Sequence, residues 1–460
     1  MGILRKTVFL VLICLIAAGT LMAGGGGQRE PAAGGGGKTV VKLWTQERHS
    51  LSFMQVWWDR YNATNKDNIE FVQEIYTDNY PQMINLAFQS GEVPDICNNG
   101  NDVLIQYISQ NKWVDLLPLM TAEQKETFAA CMLEGNSLFD GKLYSIPPMA
   151  TANRLFYNKG IFRRVGVEPP KTLEEMVVTA RKITDTLKGE GIYGFAQNMK
   201  SPISGLERSF KPMAMRQLGN YEGYDFAKGE YDFSGYAPIL LAWRELLSPA
   251  IAFPGSESLD IDPLRAQFAA GKIAMYMSWT HAEPGVYASQ FPTNEEWGAV
   301  QIPVAGGNVK GAQYYNSTAG VMILSESKVI PAAWKVVSDI FCNLDLLKGY
   351  YEEGLGITVV PKVIAVANPA PVFRDNPDML ITPTDKMWPN APHREDATAV
   401  VVEGLNMWDA FMQVIYANAD AERTMADLSA RYNRAYQAAI QQGLLKPIRN
   451  PNFNPMDPRL

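Results

Sequence analysis

The chain has 460 residues, 47% hydrophobic and 19% charged, so it carries enough apolar material for a large core spread over two or more lobes. With 41 Lys and Arg against 48 Asp and Glu its formal charge is −7 at pH 7, which argues against a nucleic-acid partner. Its three histidines, His49, His281 and His393, do not stand at metal-ligand spacing, which excludes a zinc hydrolase built on H-E-x-x-H.

Arg5 and Lys6 precede an apolar stretch over residues 7–18, and small Ala23 follows Leu21 and Met22. This order predicts a signal peptide over residues 1–23 and export to the periplasm or another extracytoplasmic space. Its removal takes two basic residues and no acidic ones, leaving 39 Lys and Arg against 48 acidic residues and a charge near −9. Residues 24–37 read as a Gly-rich linker. Its glycine runs precede the first strand instead of joining strand to helix, so they do not cradle a phosphate. An uncleaved anchor on this leash is the alternative. A lipidated terminus is disfavoured because Cys14 lies inside the apolar run. No later stretch approaches the ~20 apolar residues of a membrane span. Cys97, Cys131 and Cys342 remain, an odd and low count that predicts buried free thiols and no disulfide framework.

Val40, Leu43 and Trp44 mark a first strand, and Met54, Trp57, Trp58 and Tyr61 recur at helical spacing, which turns them toward a core. Residues 69–75 form a second strand, 81–90 a helix ended by Gly91, and Asp95 and Ile96 a short buried strand. Such an α/β unit, with polar residues just after its strands, binds a ligand at the strand ends. Residues 141–147 (GKLYSIP) then lead into 153–159 (NRLFYNK). Thr172, with Glu175 three residues on, predicts a capping box. Residues 264–279 hold a helix, a stop at Gly271 and a strand over 273–278; residues 297–303 return the chain. Ser325 to Lys328 fits S-x-x-K, but with no S-D-N or K-T-G it reads as the entry to a helix over 332–342. Residues 354–361 form another passage, and 408–428 a closing helix pair. No period of 20 to 50 residues repeats, which excludes a solenoid.

Taken in order, Tyr80, Met83 to Leu86, the run SGEVPDI over 90–96, and Trp113, Val114, Asp115 and Leu116 before Pro118 resemble the family 1 extracellular solute-binding proteins of ABC importers, the maltose-binding group. The resemblance continues through almost all of the mature chain. It implies an α/β, two-lobed periplasmic-binding-protein fold of type II, each lobe a mixed sheet flanked by helices, with a hinge of three crossings near Pro147, Pro303 and Gly354. The N-lobe would take residues 38–147 and 304–353, the C-lobe 148–303 and 354–460. Implied with it is a monomer that captures a carbohydrate, a di- or oligosaccharide, between the lobes and delivers it to an ABC permease. It would use no cofactor, metal or nucleic acid and perform no chemistry on the ligand.

A sugar site needs flat aromatic faces and polar groups for the hydroxyls. By matching position in the family, Gln46 and Glu47 follow the first strand, and Asn101 and Asp102 follow the strand at Asp95 and Ile96. Thr151 holds the crossing position where the maltose-binding member carries a carboxylate. Trp279 and Trp408 match the stacking positions, Trp388 precedes an insertion at 393–404, and one of Tyr314 and Tyr315 faces the cleft while the other faces core. The same transport role for a glycerol phosphodiester or a polyamine is the alternative. A phosphate calls for clustered cations, and only Arg48 and Arg154 are near. An exported carbohydrate-active enzyme or a surface adhesion protein is more distant, since the 48 acidic residues single out no catalytic pair.

Overall fold

The computed structural model describes residues 37–76, 80–98, 101–318, 320–395 and 398–458. The expected signal peptide, and all but the last residue of the linker, lie outside the described residues. The chain divides into Met1–Lys38 and a compact unit, Thr39–Leu460, which carries every element named below.

β1 (Thr39–Thr45), α1 (Leu51–Thr64), β2 (Ile69–Ile75), α2 (Tyr80–Ser90), β3 (Ile96–Asn98) and α3 (Asn101–Ile108) follow the expected order. β1 pairs parallel with β2 along its whole length and parallel with β3 at Leu43 and Trp44. Val41, Leu43, Ile69 and Phe71 alternate onto one face, where Met54, Trp58 and Tyr61 of α1 meet them in a common core. Gly91 ends α2 at φ +73°, a conformation that glycine adopts without strain.

After the hairpin of β4 (Leu138–Phe139) and β5 (Lys142–Leu143), the chain enters β6 (Met149–Asn158), the spine of a second sheet. β7 (Tyr224–Asp225) and β8 (Glu230–Tyr231) form another hairpin. β9 (Met275–Trp279), β10 (Trp297–Val300) and β11 (Gln313–Thr318) all pair antiparallel with β6. β12 (Val321–Ile323) instead pairs antiparallel with β3, returning the chain to the first sheet. β13 (Ile357–Thr358) pairs with the Met149 end of β6, and β14 (Asp385–Lys386) runs parallel to the start of β11.

β6 is buried on both faces, so its residues show no apolar alternation. Leu155 joins the largest core, with Trp243, Trp388 and Trp408. Phe156, on the opposite face, stacks on Tyr276 at 5.5 Å. The middle passage between the sheets falls between β11 and β12, later than Pro303. Ile302 belongs to the second lobe's core, and β11 continues the pairing along β6. β11 therefore sits with the second sheet, although it lies inside the stretch 304–353 expected in the N-lobe. Arg154 and Asp385, both fully buried, join β6 to β14 through a 2.7 Å ion pair.

Thr172 caps the helix Leu173–Leu187 with the reciprocal bonds to Glu175 that a capping box requires. Cys97, Cys131 and Cys342 are free and buried, and burial pushes each thiol up to about 12. Among the described residues no helix is long and apolar enough to cross a membrane.

Candidate functional site

Where β1 ends, the backbone leaves the sheet and presents a run of polar residues, 46–50. Gln46 is exposed. Glu47 donates its N–H to Thr45 Oγ1 at 3.1 Å and sets its carboxylate 3.2 Å from His49 Nδ1. The buried His49 ring is fixed on its far side, with Nε2 3.1 Å from the Leu355 carbonyl and 3.0 Å from the Tyr350 hydroxyl. Its edge meets His281 at 5.6 Å between ring centroids. His281, just past β9, places Nδ1 2.9 Å from Thr151 Oγ1 and donates its backbone N–H to the same oxygen at 3.3 Å. A continuous line, Glu47 to His49 to His281 to Thr151, thus runs from the first sheet to the second.

The charges along this line are set by burial and proximity. Burial pulls the Glu47 carboxyl up, but His49, with His281 and Arg48 close by, outweighs it and holds the group at about 2. Burial presses His281 down to about 3; Glu47 opposes this, while the charges of Arg265 and Arg208 add to it. Glu47 is therefore a carboxylate and His281 a neutral ring at neutral pH.

A second group lies along β6. Asn153 stands opposite Trp279, the half-buried last residue of β9. The Trp279 ring meets Tyr314 edge-on at 6.3 Å. Tyr314, 9% exposed, also lies 5.1 Å beneath Lys211 Nζ. Tyr315 alternates to the opposite face, pairs with Ala152 and lies in the field of Asp385. Of the two tyrosines, Tyr314 is the one that shares a face with Trp279. Lys211 donates to the Tyr221 hydroxyl at 2.9 Å and is matched by Glu222 at 2.8 Å. Glu222 also pairs with His393 and Arg394, each at 2.8 Å. Burial raises this carboxyl, yet Arg394 and Lys211 hold it well below the usual range.

Trp388 and Trp408 are elsewhere. Both are 6% exposed and belong to the second lobe's core. Trp388 donates Nε1–H to the Ala312 carbonyl at 3.2 Å, and Trp408 packs edge-on against Phe411 at 6.0 Å. The apolar face of the helix Met407–Tyr416 draws Trp408 inward with Phe411, Val414 and Ile415. Asn101 and Asp102 open α3 just beyond the end of β3; their side chains lie outside the described residues.

Four participants were not foreseen from sequence: His49, His281, Asn98 and Asn153. The amide oxygens Asn98 Oδ1 and Asn153 Oδ1 are buried without a hydrogen-bond partner. Such an orphan acceptor costs roughly 1–3 kcal/mol until a donor reaches it. Asn98 is the last residue of β3 and lines a cavity with Thr45, Glu47 and Tyr350. Its place two residues after Ile96, at the end of the short strand, was the signal that could have found it. Among the described residues no group of three or more His, Cys, Asp or Glu side chains is placed to hold a metal ion.

The family model described as bacterial extracellular solute-binding protein matches residues 45–338, well over half of the chain. A binding protein of Brucella abortus (strain 2308) is 25% identical over 261 residues, 56% of this chain and 61% of that protein. The match thus spans about three-fifths of that relative's length. The melibiose/raffinose/stachyose-binding protein of Bacillus subtilis (strain 168) is 23% identical over 159 residues, 34% of this chain and 36% of that one. A solved structure from work on xylan utilization by Caldanaerobius polysaccharolyticus superposes with a TM-score of 0.70 at 19% identity, covering 86% of this chain and 100% of that one. An ABC substrate-binding protein of Listeria monocytogenes, solved with cycloalternan, gives 0.67 at 17% identity, covering 87% and 99%. These likenesses carry the two-lobed α/β fold, and with the family match they lead to one conclusion: the chain belongs to the bacterial extracellular solute-binding proteins.

Proposed function

We propose that the chain is the binding component of an ABC importer, capturing a carbohydrate of two or more rings between its lobes and handing it to a membrane permease. The observation that carries this reading is the combination on the second sheet of a half-buried Trp279 ring with the open acceptor of Asn153 beside it. An aromatic face suits the C–H face of a pyranose, and an orphan amide oxygen suits a hydroxyl donor. Asn98 offers a second open acceptor from the first sheet.

In this reading residues 1–23 direct export and 24–37 form the linker. One lobe takes residues 38–147 with 320–364, the other 148–318 with 365–458. The protein acts as a monomer, leaves its ligand chemically intact and has no nucleic-acid partner. A phosphodiester is less well served, because Arg154 is matched by Asp385 and Arg48 by Asp262 at 3.2 Å.

A thermal-shift screen against a sugar library tests the proposal. A ligand at 100 times its dissociation constant adds about 2.7 kcal/mol of stability, a readily measured rise in melting temperature. The sugar should be recovered uncleaved. A library that leaves the melting temperature unchanged, or is hydrolysed, overturns the reading.

A further inference from the structure

Several cations around the two strand ends are matched by carboxylates. Arg48 meets Asp262 at 3.2 Å, Lys211 meets Glu222 at 2.8 Å, and Arg265 meets Glu283 at 2.9 Å. Arg208 differs. Among the described residues no carboxylate oxygen lies within 4.0 Å of its guanidinium nitrogens. Its bonds go to neutral oxygens: Nε to the Ser204 carbonyl at 2.8 Å, Nη2 to Ser204 Oγ at 3.1 Å, and Nη1 to Ser278 Oγ at 3.4 Å. Glu283 and Glu207 are close enough to act on it electrostatically, but they are held by Arg265 and Arg394. One N–H on each terminal nitrogen is left over.

The location of Arg208 gives this surplus a purpose. Ser278 directly precedes Trp279 in β9, so the guanidinium is anchored to the end of the strand that also carries the half-buried Trp279 ring. The Arg208 carbonyl accepts from Asn153 Nδ2 at 3.0 Å, which leaves Asn153 Oδ1 as the open acceptor. Burial, then the charge of Arg265, lowers the Arg208 guanidinium to about 10, so an arriving anion would favour its charged form.

We propose that Arg208 receives a carboxylate carried by the captured sugar, which makes uronate-containing oligosaccharides the substrate class; this rests on the carbohydrate reading above. Two remaining N–H groups on one planar fork match the two oxygens of a carboxylate. Trp279 covers the ring's apolar face, and Asn153 Oδ1 accepts from a ring hydroxyl. A phosphate is better served by several converging cations, and here the neighbouring ones are already neutralised.

Calorimetry on the purified protein decides the matter, using digalacturonate, diglucuronate and dimannuronate, each against its methyl ester and against the neutral disaccharide of the same linkage. At least one acid is expected to bind tenfold or more tightly than its ester. In R208Q that preference should vanish, and in R208K part of it should return. The wild-type comparison of acid with ester needs no variant to fold, and the melting temperatures of the unliganded variants report their folding. Equal binding of acid and ester, binding of neutral sugars alone, a preference that survives R208Q, or tighter binding of a sugar phosphate overturns the assignment and leaves the carbohydrate reading standing. If no acidic or neutral sugar binds, both fall.

Discussion

His49 and His281 meet edge-on at 5.6 Å, one tied to Glu47 after β1 and the other to Thr151 in β6. The contact makes acid stability a direct readout of the junction between the sheets. The His281 ring stays neutral down to about 3 in the folded protein but takes a proton near its ordinary 6.5 when unfolded. The unfolded chain therefore binds the extra proton, and stability falls as pH drops through the window from 6.5 to 3. Glu47, held at about 2 against an ordinary 4.5, adds to the loss between 4.5 and 2. Urea midpoints measured from pH 7 to 4 should decline, by up to about 1.4 kcal/mol per pH unit for one group. H281N should flatten the decline above pH 4.5; an unchanged slope would contradict the assignment.

Two tryptophans should separate binding from stability. W279A removes a half-buried ring beside the open acceptor and should weaken sugar binding by about 1–3 kcal/mol with little change in melting temperature. W408A empties a site packed against Phe411 and should cost about 3–5 kcal/mol of stability. Calorimetry and urea unfolding on the pair make the contrast directly visible, and equal effects of both variants on both readouts would be inconsistent with it.

The ion pair of Arg154 and Asp385 lies in full burial, and Asp385 also accepts from the Thr382 N–H at 2.6 Å. D385N leaves a buried guanidinium without its counter-charge and should destabilise by about 3–5 kcal/mol. Denaturant titration followed by the fluorescence of the second lobe's tryptophans would measure it.

The three thiols should be silent in the native state. Cys97, Cys131 and Cys342 are buried and each is raised to about 12, so little thiolate exists near neutral pH. Ellman's reagent should titrate none of them without denaturant and all of them with it.

Arg48 and Asp262 tie the loop after β1 to the helix Ile261–Ala269 at 3.2 Å, with the Arg48 side chain 38% exposed. An exposed pair of this kind contributes about 0–1 kcal/mol, so D262N should move ligand affinity by less than about fivefold. Small-angle scattering should show a smaller radius of gyration with bound sugar, in the wild type and in D262N alike.

Local chemistry was legible in the sequence, and long-range proximity was not. The strand at 69–75, the stop at Gly91 and the capping box of Thr172 with Glu175 each depend on residues a few positions apart, and all three are in place. His49 and His281 come together only because β9 pairs beside β6, which no local pattern encodes. Which of Tyr314 and Tyr315 shares a face with Trp279 turns on the phase of the pleat, fixed by the register of Tyr315 with Ala152. Trp408 illustrates the reverse problem: a ring at the start of an amphipathic helix has the same spacing whether it serves a ligand or a core, and here the core holds it.

β6 is a ten-residue strand whose backbone is shared by β9, β10, β11 and β13, while Thr151 and Asn153 project from its first half. The framework is thus secured by main-chain bonds that do not depend on which side chains occupy those two positions. Thr151 and Asn153 can be exchanged for other polar residues with the strand still anchored on both edges. On the proposed carbohydrate reading, ligand preference would in this sense be modular: a swap at these positions would retune what the cleft admits while the strand that carries them stays in place.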